Sequence, residues 1–269
     1  MATGELVAAI AMSEPGAGSD LQRINTRATL EGEFWRINGA KTFITNGMHA
    51  NLVCVAVKTG TEVGAKGISL LMLETDGAQG FRRGPLLDKL GQKTLDTCEL
   101  FFDGVQVPAN NLLGAEEGKG FIQLMQQLPR ERILVAVGAV AAARRAVDDT
   151  LAYVRERQVF GRTLLSMQNT RFKLAECETQ ARVAQAFVDD CIVRLAKGEL
   201  DSATAAMAKW WTTDMCCRVI DECLQLHGGY GFMNEYPIAR QYADMRVTRI
   251  LGGANEVMKE LIARTMEKR

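Results

Sequence analysis

The sequence has little of several features that would assign a broad functional class directly. It has no excess of either charge, since Lys+Arg and Asp+Glu both number 32, and this argues against nucleic acid as its main partner. No apolar run is long enough to cross a bilayer. The opening segment MATGELVAAIAMSEPG has no basic region ahead of its short apolar stretch, so it is unlike a secretory signal.

The cysteine pattern favours neither disulfides nor a zinc site. There are seven cysteines, an odd number, and none are in Cys-x-x-Cys spacing. They are therefore interpreted as reduced thiols in a reducing compartment, with no disulfide framework and no metal site. This favours a cytoplasmic location if the protein is bacterial and the mitochondrial matrix if it is eukaryotic, with cytoplasmic preferred.

The first part of the chain, up to about residue 113, has the pattern of strands and turns. Hydrophobic residues make up 47% of the sequence, enough for a substantial core. Residues 34–37 and 40–43 flank Asn38-Gly39 and predict a hairpin, because Asn-Gly tolerates the positive φ angles of a type I′ turn. Further apolar runs predict strands at 53–57, 68–73 and 98–102, the last followed by Asp103-Gly104, and Pro108 ends the series.

After residue 120 the period of the apolar residues changes to that of helices. Helices are predicted over 121–157, with a potential kink at Pro129, and over 169–197, and from about 202 to 227. Gly198 is a natural C-terminal stop, and Asp201 or Ser202 can cap the following helix. A short helix is predicted after Pro237 and a last one from about Ala254.

These patterns predict an α+β fold without βαβ alternation. An antiparallel β-domain is expected over residues 1–115. A C-terminal antiparallel four-helix bundle is expected over residues 116–269, because four long helices are joined by short links.

The densest local signal is the segment from Ser13 to Asp20, with the sequence Ser-Glu-Pro-Gly-Ala-Gly-Ser-Asp. Its glycines allow backbone amides to approach a ligand closely, and Ser13 and Ser19 supply hydroxyl groups. Its spacing is not that of a dinucleotide-binding fingerprint. From these residues alone, a surface turn is as good an interpretation as a cofactor loop.

Together with four later motifs, however, this segment resembles the signature of the acyl-CoA dehydrogenase family. The similarity continues in family order over almost the whole chain and looks strongest to the long-chain branch. The family's N-terminal helical domain is expected to be missing. The later motifs are Phe-Ile-Thr-Asn-Gly at 43–47, Arg-Gln-Val-Phe-Gly at 157–161, Gln-Leu-His-Gly-Gly-Tyr-Gly at 225–231 and Leu-Gly-Gly-Ala-Asn-Glu at 251–256.

The resemblance implies FAD-dependent α,β-dehydrogenation of acyl-CoA thioesters to trans-2-enoyl-CoA, with electrons passed to an electron-transferring flavoprotein. It also implies a homo-oligomer, a tetramer, in which bundle motifs reach the flavin of a neighbouring subunit. The implied substrate-binding residues are Ser19, Arg132 and Gly253. The implied cofactor-binding residues are Met12, Ser13, Gly18, Phe43, Ile44, Thr45, Arg157, Phe160, Gln168, Gln225, Gly228, Gly229, Ala254, Asn255 and Glu256.

The catalytic base implied by the resemblance depends on a departure from the common family pattern. Many members have a Glu directly before the Gly of the terminal loop, where this chain has Gly252. The long-chain and isovaleryl branches instead have a Glu-Arg pair on the first bundle helix, and this chain has Glu131-Arg132 there. Glu131 is therefore the implied base, and Gly252 can still offer its backbone N–H to the thioester carbonyl. The simpler interpretation is that Glu131 is a solvated carboxylate among arginines.

Two other classes of function stay in view. The run from His227 to Gly231 is loosely similar to an oxyanion segment of α/β-hydrolases, but the chain has no Gly-x-Ser-x-Gly elbow and no doubly wound pattern. The stronger alternative is a truncated, non-catalytic relative that binds flavin or acyl-CoA and acts as an oligomerising partner. His227 before two glycines is also compatible with a plain helix C-cap.

Overall fold

The computed structural model describes residues 1–267 and contains two compact units. The first is Met1–Gln126, and the second begins at Gln127. The sequence-based boundary after residue 115 stays a prediction, and the last two residues of its second domain lie outside the described part.

The first unit is built on a seven-stranded sheet with the strand order β1-β4-β2-β3-β7-β6, and β5 pairs with β4. Its pairs are antiparallel, as predicted, except where β4 runs parallel to β1 and, at a single position, to β2. The strands are β1 Ala8–Ala11, β2 Arg27–Glu31, β3 Phe34–Thr45, β4 Leu52–Lys58, β5 Ile68–Glu74, β6 Phe81–Leu86 and β7 Thr97–Pro108.

The core of this unit follows from the alternation of side chains along the long strands. In β3, Trp35 and Ile37 point inward, and in β7 Leu100, Val105 and Val107 do the same; all five are at most 3% exposed. Burial of each such side chain contributes roughly 1.5–3 kcal/mol. The paired strands β3 and β7 therefore form the rigid centre of the sheet.

The predicted hairpin at Asn38-Gly39 is wrong. Strand β3 runs without interruption through both residues, and the actual hairpin turn is Gly32-Glu33, because Glu31 pairs with Phe34. Gly39 instead lies at a register shift between β3 and β7, at φ 147°. The physical reason is crowding from Thr26, the residue before β2, since a Cβ at position 39 would lie 2.5 Å from Thr26 Oγ1.

The strand predicted to end before Asp103-Gly104 also continues, because these residues lie at the same register shift. Both residues lie inside β7, and together they oppose the single residue Asn38 across the register shift. The Asn38 Oδ1 atom accepts a hydrogen bond of 2.8 Å from the Gly104 N–H. The two sequence signals for turns are thus the two sides of one β-bulge.

The second unit is helical, as predicted. Within the described residues it contains most of α1, which begins at Gly120, and the whole of α2 to α5, α4 being the short helix expected after Pro237. Helix α1 continues through Pro129, Gly198 ends α2 with φ 73°, and Asp201 caps α3 by accepting from Ala203 N and Thr204 N. The helices are α1 Gly120–Glu156, α2 Gln168–Lys197, α3 Ser202–His227, α4 Pro237–Met245 and α5 Asn255–Met266.

Small apolar side chains form the core of this unit. One cluster joins residues of α1, α2, α3 and α4, and alanine and cysteine supply much of it. Small side chains let helices approach each other closely. All seven cysteines are free thiols in the structure. No helix in residues 1–267 is both long and apolar enough to span a membrane.

The bulge at Gly39 gives a testable prediction. The substitution Gly39→Ala combines an unfavourable φ with overpacking against Thr26, and it should lower the free energy of unfolding by about 3 kcal/mol. The matched control is Gly32→Ala, at φ 63° with nothing within 4 Å of the added Cβ, which should cost only about 1 kcal/mol. Urea unfolding of both variants measures the difference, and equal losses would contradict the assignment of crowding.

Candidate functional site

The end of strand β3 displays an aromatic side chain in a strained conformation. Thr42 and Phe43 together oppose the single residue Glu99 of β7, and Phe43 has φ 58° with 70% of its surface exposed. A bulky residue at positive φ is rare, and such strain concentrates at functional sites. Ile44 points into the core and Thr45 is exposed. Any ligand contact by Ile44 therefore has to come from its backbone.

A buried ion pair lies directly behind this strained turn. The Lys41 ammonium is 0% exposed and donates to Glu14 Oε1 and to the main-chain oxygen of Met12, both at 2.9 Å. The Glu14 carboxylate also accepts from the backbone N–H groups of Asn25 and Thr26. The ion pair thus links β3 to the segment that carries Met12.

Burial lowers the pKa of Lys41 to about 8, although the Glu14 charge opposes that shift. For Glu14, burial alone would raise the pKa, but hydrogen bonds from Thr26 and Asn25 and the Lys41 charge outweigh it. The pKa of Glu14 therefore lies below its ordinary value.

The Ser13–Asp20 segment is a tight turn with open sides. Backbone hydrogen bonds in both directions join Glu14 to Ala17, and Ser13 O accepts from Thr42 N at 2.9 Å. Gly18 and Ser19 are exposed, and nothing lies within 4 Å of a Cβ built at Gly18. The segment is a turn, but it can also bind a ligand, because its backbone and the Ser19 hydroxyl are accessible.

The motif at 157–161 forms a small hairpin that was not foreseen. Strands β8 (Gln158–Val159) and β9 (Arg162–Thr163) are joined by Phe160-Gly161, both at positive φ. The Phe160 side chain at its tip is 97% exposed. Gln168, at the start of α2, is also exposed.

The glycine-rich turn that follows α3, Gly228–Phe232, lies next to Arg157. The Arg157 guanidinium carbon lies 5.4 Å from the centre of the Tyr230 ring. Tyr153 stacks on His227 at 4.3 Å and donates to the His227 main-chain oxygen. Gly228 ends α3 with φ 59°, and a Cβ built at Gly228 meets nothing within 4 Å.

Two further predicted cofactor-binding residues at this turn, Gly229 and Gln225, are accessible to solvent. Gly229 is exposed, and a Cβ built there also meets nothing within 4 Å. Gln225, in the last turn of α3, is exposed as well.

The terminal loop, defined as residues 250–254, lies against α1 close to the predicted base. Gly252 and Gly253 have φ 65° and 94°, and a Cβ at Gly252 would lie 3.9 Å from Val135 Cγ2. Val135 is one helical turn beyond Glu131, on the same helix face. The exposed Glu131 therefore lies one helical turn before the residue of α1 that Gly252 approaches.

Arg132, beside the predicted base, is a buried cation with unused hydrogen-bonding capacity. Its side chain is 5% exposed, and its Nε has no hydrogen-bond partner among the described residues. Burial lowers the pKa of Arg132, an effect that the Glu131 charge opposes. An unpaired buried donor of this kind suits an anionic ligand.

Lys209 is a functional candidate that the sequence interpretation missed. It lies on α3, is fully buried, and donates to Gly253 O at 2.7 Å and to Asn255 Oδ1 at 2.9 Å. Burial lowers the pKa of Lys209 to about 8, the Arg132 charge lowers it further, and Asp214 and Glu256 oppose the shift. The available signal was a lysine inside the otherwise apolar run of residues 205–211.

The N-terminus of α5 contains the last three predicted cofactor ligands. Ala254 precedes the helix and is half-buried, and Glu256 is exposed in its first turn. The Asn255 side chain is 2% exposed and is occupied by hydrogen bonds to α3. A cofactor contact by Asn255 therefore has to use its backbone.

Comparison with known proteins assigns the family. The model of the acyl-CoA dehydrogenase C-terminal domain matches residues 118–267, and that of the middle domain matches residues 9–105. The chain belongs to the acyl-CoA dehydrogenase family. The resemblance found in the sequence is thereby confirmed.

Individual relatives agree with this assignment. The mitochondrial long-chain specific acyl-CoA dehydrogenase of Mus musculus is 50% identical over 98% of this chain, which spans 61% of the mouse protein's length. An acyl-CoA dehydrogenase structure from Geobacillus kaustophilus has a TM-score of 0.96 at 49% identity, covering 98% of this chain and 70% of that one. A chain of the structure described as the electron transferring flavoprotein of Acidaminococcus fermentans has a TM-score of 0.94 at 37% identity, with coverages of 98% and 69%.

The buried ion pair of this acyl-CoA dehydrogenase family member generates a stability prediction. The substitution Lys41→Met leaves the Glu14 carboxylate buried without its cation and should lower the free energy of unfolding by roughly 3–5 kcal/mol near neutral pH. The matched control is Arg36→Met, which removes the exposed pair with Glu31 and should cost at most about 1 kcal/mol. Urea unfolding measures both values.

The same variant has a pH signature with a definite sign. Because the pKa of Lys41 is lowered from 10.5 to about 8, the folded chain loses this proton at a lower pH than the unfolded chain. The unfolding free energy of the wild type, relative to Lys41→Met, should therefore rise with pH between these two values. A difference that stays flat over this window would contradict the assigned titration.

Proposed function

We propose that the chain is the cofactor-binding and catalytic part of an FAD-dependent acyl-CoA dehydrogenase that converts acyl-CoA thioesters to trans-2-enoyl-CoA. The observation that supports this most is in the terminal loop. Gly252, which has no side chain, packs beside Val135, one turn from Glu131. A carboxylate absent from the loop is thus present on the helix that the loop contacts.

Glu131 is the proposed base that removes the α-proton of the thioester. It is exposed on α1, so a substrate can reach it. The α-proton of a thioester is too weakly acidic for a carboxylate alone, and donors at the carbonyl oxygen have to stabilise the developing negative charge. The Gly252 N–H is the proposed donor. The proton is transferred to the Glu131 carboxylate as the hydride leaves Cβ.

The residues present fit FAD as the hydride acceptor. The first unit offers the strained, exposed Phe43 together with Met12, Ser13 and Thr45. Bound FAD would supply the two-electron oxidation that amino-acid side chains cannot perform.

The second unit offers its own groups to a flavin. They are the exposed Phe160, the cation Arg157 and the open backbone at Gly228 and Gly229. Glycine backbone and a guanidinium suit the phosphates and the planar rings of such a cofactor. We propose that these groups serve the flavin of a neighbouring copy, in a homotetramer.

Substrate anchoring is proposed for three further positions. Arg132, whose Nε has no partner among the described residues, and the exposed Ser19 suit phosphate or carbonyl oxygens of the CoA thioester. Gly253 lies in the same loop as Gly252. The similarity to the mouse long-chain enzyme supports a medium-to-long or branched acyl group. An electron-transferring flavoprotein as acceptor and a cytoplasmic or matrix location complete the proposal.

The base assignment is tested by Glu131→Gln, with Asp148→Asn, an exposed carboxylate on the same helix, as the control. Turnover of acyl-CoA with an artificial electron acceptor should fall by about 10²–10⁴-fold in Glu131→Gln and stay unchanged in the control, because only the former removes the proton acceptor. Visible absorbance of retained flavin should be equal in all three proteins. Near-full turnover in Glu131→Gln would refute the assignment.

Cofactor binding is tested separately from turnover. Arg157→Met should weaken FAD binding by about 10–100-fold, the effect of losing a charged hydrogen-bond donor, whereas Arg155→Met, an exposed cation two residues earlier, should not. Flavin absorbance after gel filtration of protein mixed with FAD reports the binding. A wild-type chain that remains colourless would refute FAD binding. A coloured chain without turnover, alone or extended upstream, would identify the non-catalytic relative.

A further inference from the structure

Lys209 is a buried ammonium group, and none of its hydrogen-bond partners within residues 1–267 is a carboxylate. It is 0% exposed, and its two recorded acceptors are the neutral oxygens Gly253 O and Asn255 Oδ1. Burial of a cation is costly unless its hydrogen bonds and nearby charges compensate. Both of these acceptors lie at the C-terminal side of the terminal loop.

The other side of the terminal loop is fixed to the same helix. Arg249, the residue before the loop, forms an ion pair with Asp214 of α3, with Arg249 Nε 2.6 Å from Asp214 Oδ1. Asn255 Nδ2 donates to the same Asp214 oxygen at 2.9 Å and to Thr213 Oγ1 at 3.0 Å. Helix α3 therefore holds both ends of the loop.

We propose that Lys209 is a positioning residue that fixes the terminal loop so that the Gly252 N–H and the Gly253–Ala254 peptide are oriented for the thioester carbonyl. This inference rests on the proposed dehydrogenase function. In this proposal, helix α3 orients the backbone N–H donors of the terminal loop, where Gly252 and Gly253 have no side chains to fix them. Two consecutive residues at positive φ, Gly252 and Gly253, give the loop conformational freedom that only such external contacts can remove.

The positive charge of Lys209 makes it a better positioning residue than a neutral hydrogen-bond donor would be. Hydrogen bonding of an ammonium to the Gly253 carbonyl polarises the Gly253–Ala254 peptide and strengthens the N–H at its other end. The positive charge also favours negative charge developing on a nearby thioester oxygen. Arg132 reinforces this field, whereas Asp214 and Glu256, the acidic groups that face Lys209, oppose it.

The experiment compares Lys209→Met with the wild type and with Lys197→Met, an exposed lysine at the end of α2. The first measurement is hydrogen–deuterium exchange of the amides of residues 250–258. The second uses 3-thiaoctanoyl-CoA, an analogue whose α-proton can be removed but which does not transfer hydride. Beside bound oxidised FAD, its electron-rich enolate would add a long-wavelength charge-transfer absorbance to the flavin spectrum. The pH dependence of this band reports the apparent pKa of the bound analogue.

In Lys209→Met, loop exchange should accelerate about tenfold or more, and the apparent pKa of the analogue should rise by about one unit, a tenfold loss of enolate stabilisation. Lys197→Met should match the wild type in both. Should Lys209→Met fail to fold, Lys209→Gln, which keeps a neutral donor of similar length at this position, should raise the apparent pKa of the analogue in the same direction.

Faster exchange with an unchanged analogue pKa would show that Lys209 supports the fold without positioning the donors, and it would overturn the inference. Unchanged exchange would overturn it as well. A wild type that shows no charge-transfer band and no flavin absorbance would instead refute the proposed function itself, and the positioning role with it. That outcome is distinguishable because the wild type, and not only the variant, fails.

Discussion

Two buried lysines, each hydrogen-bonded to a main-chain carbonyl, are the interaction on which the rest of the structure depends. Lys41 donates to Met12 O in the first unit, and Lys209 donates to Gly253 O in the second. Each also donates to one side-chain oxygen, from Glu14 or Asn255. A buried ammonium has to find such acceptors, so the segments carrying them cannot move independently of the core.

The parts fixed in this way are those whose local conformation is least stable by itself. Phe43, two residues after Lys41, has a positive φ that a bulky side chain disfavours, and Gly252 and Gly253 have little conformational preference. Strained or flexible backbone persists only where the surroundings over-determine it. A buried charge beside each segment provides that constraint, because breaking its hydrogen bonds would leave an ion unsolvated.

Predictions from the sequence were accurate where a local rule decides the structure. The helix ends at Gly198 and Asp201 follow from the φ preference of glycine and from side-chain capping, and the structure shows both. The turn predicted at Asn38-Gly39 was wrong because the same dipeptide also suits a bulge. Only the contact with Thr26, the residue before β2, selects between the two.

In the candidate site, too, some features follow from local sequence and others only from tertiary contacts. The sequence by itself determined the α+β class, the helical periodicity, the glycine-rich loops and the Glu131-Arg132 pair, because each depends on residues close together in the chain. Only the tertiary structure decided that Gly252 lies beside Val135, that Asn255 faces inward, and that Lys209 contacts the terminal loop. These contacts join residues 44 to 117 positions apart in the chain. They depend on how α1, α3 and α5 pack, which no local pattern of residues specifies.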